Sequence, residues 1–134
     1  MRLKVMTYNA LYGFHERDGT TLRYQARRAQ AAQLVVCAEA PDILALTEAV
    51  YCGAGGRFIR HDFETMFGLP HVHGVGFEGE WGNVIASRFP IVEVERVPLG
   101  GSPSGISPSG LRATLDCDGR TVHVDIVHPS PHIT

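Results

Sequence analysis

Residues 41–48, Pro-Asp-Ile-Leu-Ala-Leu-Thr-Glu, constrain the fold of this 134-residue chain more than any other stretch. Ile43, Leu44, Ala45 and Leu46 form an unbroken apolar run behind Pro41 and Asp42. A run this short, apolar on both faces, reads as a strand covered from above and below. Side chains alternate along a strand, so Leu44, Leu46 and Glu48 are expected on one face. That apolar face ends on an acid, which is either a paired structural charge or a ligand.

The rest of the chain supplies covering layers. Leu3 to Asn9 alternates as a first strand, with Leu3, Val5, Thr7 and Asn9 on one face and Lys4, Met6 and Tyr8 on the other. Ala10 to Thr20 is polar, carries Gly13 and Gly19, and reads as a loop. Thr21 is the expected cap of a helix from Leu22 to about Ala40, with Ala26, Ala29, Ala32, Gln33 and Val36 as its stripe and Pro41 as its stop. A glycine-rich loop is expected at residues 51–56 and a short helix between Phe58 and Phe67, closed by Gly68. Strands follow at residues 71–77, 83–88 and 91–99, then a Gly/Ser/Pro loop at residues 100–109. Leu111–Cys117 and Thr121–His128 read as a hairpin around Asp118-Gly119. The order implies a mixed α/β layout with helices packed on sheets.

Composition narrows the function classes. Apolar residues make up 44% of the chain, which argues against disorder. A formal net charge of −2 provides no overall basic field for generic nucleic-acid binding. Cys37, Cys52 and Cys117 are odd in number and form no C-x-x-C, so reduced thiols in a cytoplasmic protein are expected rather than a disulfide framework or a zinc knuckle. No run approaches membrane-spanning length.

Three strand ends then share a pattern. The Leu3/Val5/Thr7 face ends in Asn9, the Leu44/Leu46 face in Glu48, and the Val122/Val124/Ile126 face in His128. Strands of compatible direction would bring the three side chains to one rim. Glu suits a hard divalent cation, Asn can orient a ligand oxygen, and His can donate to a phosphate. The alternatives are structural: a salt bridge from Glu48 to Arg88 or Arg112, an Asx turn at Asn9, and a plain strand-end histidine at His128. Arg112 is either a phosphate contact or half of an ion pair, and Asn83 either touches substrate or holds structure.

At these residues the chain resembles the endonuclease/exonuclease/phosphatase superfamily, which includes deoxyribonuclease I-like and exonuclease III-like enzymes. Met6-Thr7-Tyr8-Asn9 is similar to that family's opening strand with its active-site Asn. Residues 41–48 resemble its D-I-x-x-L-Q-E strand, with Thr47 where Gln is usual and Glu48 at the metal-binding position. Residues 82–91, Gly-Asn-Val-Ile-Ala-Ser-Arg-Phe-Pro-Ile, resemble its G-N-A-I-L-S-R-F-P-I segment. Gly110-Leu111-Arg112-Ala113 and Val124-Asp125-Ile126-Val127-His128 resemble its R-A strand and its strand ending in His.

The resemblance implies half of a four-layer α/β/β/α sandwich with mixed, mainly antiparallel sheets, spanning residues 1–134 as one partial domain. It implies hydrolysis of phosphate esters with Mg²⁺ or Mn²⁺, with Glu48 as metal ligand, His128 and Asn9 as catalytic residues, and Arg112 and Asn83 as substrate contacts. Nucleic acids, lipids and inositol phosphates are all substrates within the family. The G-D-x-N and D-H segments of the family's second half have no counterpart here, so the chain resembles an N-terminal half and is expected to be inactive or weak alone. A different class of function is a non-catalytic or split subunit that acts through association, with a partner carrying the other half or with a second copy. A third reading is a small zinc hydrolase using His71 and His73, which share a strand face.

Overall fold

The computed structural model describes residues 1–51, 58–77, 81–98 and 109–128. Its strands are β1 (Val5–Asn9), β2 (His15–Asp18), β3 (Thr21–Tyr24), β4 (Ile43–Ala49), β5 (His71–Phe77), β6 (Trp81–Ser87), β7 (Ile91–Pro98), β8 (Ser109–Cys117) and β9 (Arg120–Ile126). A long helix spans Ala26–Glu39 and a short one Phe63–Phe67. The expected loops at residues 51–56 and 100–109 and the chain beyond His128 fall wholly or mostly outside the described residues, as does Gly79-Glu80, which reads in the sequence as a turn between two strands.

β4 lies inside a sheet of order β1-β4-β6-β5, parallel to β1 and antiparallel to β6. Its two faces serve two cores. Leu44 and Leu46, with Val84 and Ala86 of β6, pack on Ala29, Ala32 and Val36 of the long helix. Ile43 and Ala45, with Ile85, pack on Leu111, Ala113, Leu115 and Ile126 of the antiparallel sheet β7-β8-β9. Covering on both sides is why the run is apolar at successive positions. The described layers are therefore helices, mixed sheet and antiparallel sheet, as the sequence pattern implies. The outer face of the second sheet, with Arg112, Asp116 and Asp125, is exposed.

β1 is the edge of its sheet and is covered on one face only. Met6 and Tyr8 pack toward the helices, while Val5 and Thr7 are exposed on the opposite face. No helix among the described residues is long and apolar enough to cross a membrane.

The segment between β1 and the long helix differs from expectation. Residues 10–20 are not an irregular loop, and Thr21 does not cap a helix. Leu11–Phe14 form a left-handed turn, and β2 and β3 pair as an antiparallel hairpin with His15 opposite Tyr24 and Asp18 opposite Thr21. Gly19 closes that hairpin with a φ of +61°. Alternating Thr21, Leu22, Arg23 and Tyr24 has a partner strand in reach, so pairing prevails over helix propensity there. The helix spans Ala26–Glu39 and is closed by Ala40, which takes a left-handed φ of +47° before Pro41. Ala29, Ala32 and Val36 of the predicted stripe are buried, but Ala26 and Gln33 are exposed.

The short helix begins at Phe63 rather than Phe58. Asp62 caps it, accepting from Thr65 N at 3.3 Å, and Gly68 closes it with a φ of +68°. The Asp118-Gly119 turn is as expected, with φ of +55° and +88°. Two successive positive φ values match the twist of a two-residue hairpin.

Candidate functional site

The expected face of Glu48 is the point at which regular alternation fails. Leu46 pairs with Val84, but Ala49 pairs with Gly82, so Thr47 and Glu48 together face the single residue Asn83. This is a β-bulge, and Glu48 takes a φ of +51° within it. Ala49, not Glu48, continues the helix-facing row of Leu44 and Leu46. Glu48 is turned instead toward the second sheet, where its Oε2 lies 3.5 Å from Nε2 of His128. A non-glycine residue in the left-handed region costs about 1–3 kcal/mol and persists only where its surroundings over-determine it. The strain is therefore located on the acid that faces His128.

Asn83 sits opposite that bulge, 1% exposed, on the same face of β6 as Ile85. Asn9 ends β1 opposite Thr47, one residue before Glu48 in the neighbouring strand. His128 arrives two residues after β9, whose Val122, Val124 and Ile126 face the inter-sheet core as predicted. Strand register and the Glu48–His128 contact thus place Asn9, Glu48, Asn83 and His128 toward one rim, Asn83 from the third residue of β6. The Glu48 side chain is 11% exposed and that of His128 is 35% exposed, so the pair is shielded but reachable.

Asn9 performs the Asx-turn role weighed from the sequence. Its Oδ1 accepts from Leu11 N at 2.7 Å. Only the acceptor is used in this bond, and Asn9 remains exposed, so the Nδ2 donor is available to a ligand oxygen.

The structural partners considered for Glu48 are engaged elsewhere. Arg88 pairs with Asp42 at 2.9 Å, at the opposite end of β4, and its guanidinium lies 5.0 Å from the centre of the Phe89 ring. Arg112 is directed to the outer face of the second sheet, where Nε and Nη2 reach Asp125 at 2.7 and 3.1 Å. That bond holds the Asp125 carboxyl below the usual carboxylate range. Arg112 is therefore not brought to the rim, and the ion-pair alternative describes its position. No Lys or Arg among the described residues pairs with Glu48.

The donor set suits one kind of cation. No group of three or more His, Cys, Asp or Glu among the described residues converges on a common point. A lone carboxylate beside amide and imidazole groups fits Mg²⁺ or Mn²⁺, which retain several water and substrate oxygens. It does not fit zinc, which draws on three or four protein ligands. His71 and His73 lie on β5, where the His73 ring stacks on Tyr51 with centroids 5.7 Å apart.

Two residues that sequence reasoning passed over surround the turn after Asn9. His15 is 2% exposed, donates from Nδ1 to Gly13 O at 2.8 Å, and accepts at Nε2 from Ile59 N at 3.1 Å. Arg28 donates to Ala10 O, Leu11 O and His15 O at 3.1, 2.8 and 3.2 Å. Neither stood out, because His15 lies in a polar run and Arg28 lies off the apolar stripe of its helix. A cleft of about 450 Å³ opens beside this turn, lined among others by Leu11, Tyr12, His15, Arg17 and Arg28. Its lining does not include Glu48 or His128.

No protein-family model matches the sequence, and no curated protein is detectably similar to it. Solved structures are similar. An endonuclease/exonuclease/phosphatase from Beutenbergia cavernae superposes with a TM-score of 0.64 at 26% identity, over 92% of this chain and 37% of that one. An endonuclease/exonuclease/phosphatase family protein from Leptotrichia buccalis superposes with a TM-score of 0.62 at 14% identity, over 96% of this chain and 55% of that one. The chain thus spans between about a third and a little over half of those proteins. The resemblance read from strand ends and motifs holds in three dimensions: the chain carries the endonuclease/exonuclease/phosphatase fold over part of the length of that family's proteins.

Proposed function

We propose that this chain contributes the Glu48 wall of a phosphoesterase site that hydrolyses phosphate esters with Mg²⁺ or Mn²⁺. The carrying observation is that the strained Glu48 bulge, with no Lys or Arg partner among the described residues, faces His128 and lies by strand register beside Asn9 and Asn83. In this reading Glu48 holds the cation, which when bound polarises a phosphoryl oxygen. His128 donates a hydrogen bond from Nε2 to a phosphoryl oxygen and stabilises charge as it develops there. Asn9 Nδ2 donates to a second oxygen and orients the ester, while Asn83 backs the bulge from inside. Arg112 is left out of the site by its position. The fold relatives support a phosphoesterase class, and the ester's alcohol is left open among nucleic acids, lipids and inositol phosphates.

The test is Mn²⁺ titration of the whole chain followed by electron paramagnetic resonance, with Glu48→Gln as comparison. Binding should weaken by about tenfold or more on losing the carboxylate. Equal Mn²⁺ affinity in both proteins, or none in the wild type, sinks the metal-site reading.

A second reading rests on β1. It is an edge strand, and Val5 is 57% exposed on the face that carries Thr7 and Asn9. We propose that this face takes a further polypeptide segment, so that the site is completed by association. Sedimentation of the chain across a concentration series tests self-association. A monomer at all concentrations excludes a second copy as the occupant.

A further inference from the structure

The turn that leads away from Asn9 is the most strained segment described. Leu11, Tyr12, Gly13 and Phe14 take φ of +45°, +54°, +61° and +66° in succession. Left-handed backbone costs an ordinary residue about 1–2 kcal/mol, and three of these four are not glycine. The surroundings must hold such a turn, and the contacts that do so can be followed one by one. Ala10 N donates to Thr47 O at 2.9 Å, which ties the turn to β4 next to the bulge. Gly13 lies so close to Val50 that a Cβ would come within 2.5 Å of Val50 Cγ2. The carbonyls face the other way. His15 Nδ1 takes Tyr12 O and Gly13 O at 3.0 and 2.8 Å. Gln25 N takes Phe14 O at 2.7 Å. Arg28 takes Leu11 O, shares Ala10 O with Phe14 N, and takes His15 O beyond the turn.

Leu11 is the key position, because its N–H fixes the Asn9 side chain and its C=O is held by Arg28 at 2.8 Å. One residue therefore links the guanidinium to the amide at the rim. We propose that Arg28 is a positioning residue of the Glu48–His128 site, which sets the orientation of the Asn9 amide through the left-handed turn. A planar guanidinium serves three carbonyls in a fixed fork, and a lysine ammonium does not reproduce that geometry. The proposal rests on Asn9 being part of the site, but not on Glu48 binding metal.

The experiment compares wild type, Arg28→Lys and Val36→Ala in the whole ¹⁵N-labelled chain by NMR. Arg28→Lys keeps the charge and the aliphatic stem, so the helix still packs. Val36→Ala destabilises the same helix from its buried side without touching the turn. In Arg28→Lys the Asn9 side-chain Nδ2 resonances should shift, and Leu11 N–H should exchange at least about tenfold faster. Core amides such as those of Leu44 and Ile85 should keep their protection, as local opening predicts. In Val36→Ala the core amides should lose protection while the Asn9 resonances stay in place. Unmoved Asn9 resonances in Arg28→Lys, or equal shifts in both variants, overturn the proposal and leave Arg28 as a packing residue. Mn²⁺ affinity at Glu48 is read separately, so failure of the metal reading and failure of this one are told apart.

Discussion

Glu48 Oε2 and His128 Nε2 lie 3.5 Å apart although 80 residues separate them in the chain. The distance is longer than that of a short hydrogen bond. Two features produce it. β9 carries its Val122/Val124/Ile126 row along the inter-sheet core until His128 leaves at the rim, and the bulge in β4 swings Glu48 off the helix-facing row to meet it. Without the bulge, alternation would direct Glu48 toward the helices.

The first prediction concerns that bulge. Glu48 holds a φ of +51° that glycine adopts without steric cost and alanine does not. Glu48→Gly and Glu48→Ala both remove the carboxylate, so they should lose metal binding alike. Their stabilities should differ, with Glu48→Gly more stable than Glu48→Ala by about 1 kcal/mol in urea unfolding. Equal stability would show that the backbone at this position is not strained.

How much of this was legible follows from the same residues. The inward rows of β8 and β9, and those of β4 as far as Leu46, follow period-two alternation, and the Asp118-Gly119 turn has the chemistry its φ values require. The Val122/Val124/Ile126 row does lead to His128 as alternation implies, but the Leu44/Leu46 row leads to Ala49, so the strand-face argument named Glu48 and not the side on which it lies. The route by which Glu48 arrives was not, since a bulge inserts one residue without changing the composition of the run. The β2–β3 hairpin was hidden for a different reason. Its polar strands bury little beyond His15 and part of Tyr24, and Arg23 precedes a helix rich in alanine and arginine. Arg112 illustrates a third limit: its motif marks the strand, but the face it takes depends on Leu111, Ala113 and Leu115 filling the core.

The second prediction separates Arg112 from the site. Its guanidinium is engaged by Asp125 on the exposed outer face, which holds the carboxyl of Asp125 low and the guanidinium high. Exposed pairs contribute little to stability. Arg112→Ala should leave Mn²⁺ affinity unchanged and shift the urea midpoint only slightly. A marked fall in Mn²⁺ affinity would mean that the outer face reaches the site after all.

The third prediction concerns acid. His61 Nε2 and the Tyr24 hydroxyl share a hydrogen bond of 3.1 Å, and the His61 ring lies against Phe14 and Phe63. Burial, then the nearby His15, lowers its pKa below the ordinary 6.5. The unfolded chain therefore binds the proton first as pH falls. The stability this group contributes is complete above pH 6.5 and is lost as pH drops from there toward the lowered native value. One proton sets a limit of about 1.4 kcal/mol per pH unit on that slope. His61→Gln keeps a hydrogen-bonding partner for Tyr24 and cannot titrate, so its stability should vary less between pH 7 and about 5. An identical pH profile for both proteins would place the acid sensitivity elsewhere.

The fourth prediction tests how tightly the left-handed turn is seated on β4. Gly13 has a φ of +61°, and its Cα faces the Val50 side chain, where a Cβ would lie 2.5 Å from Cγ2 and 3.4 Å from Cβ. Val50 is buried and follows the last residue of β4, so it has little room to yield. Gly13→Ala adds backbone strain to overpacking, and the two together should cost about 2–4 kcal/mol. A double change with Val50→Ala should recover part of that loss, because it removes the methyl group in the way and leaves the φ penalty. Near-additive losses in the double variant would show that the clash with Val50 is not what excludes a side chain at position 13.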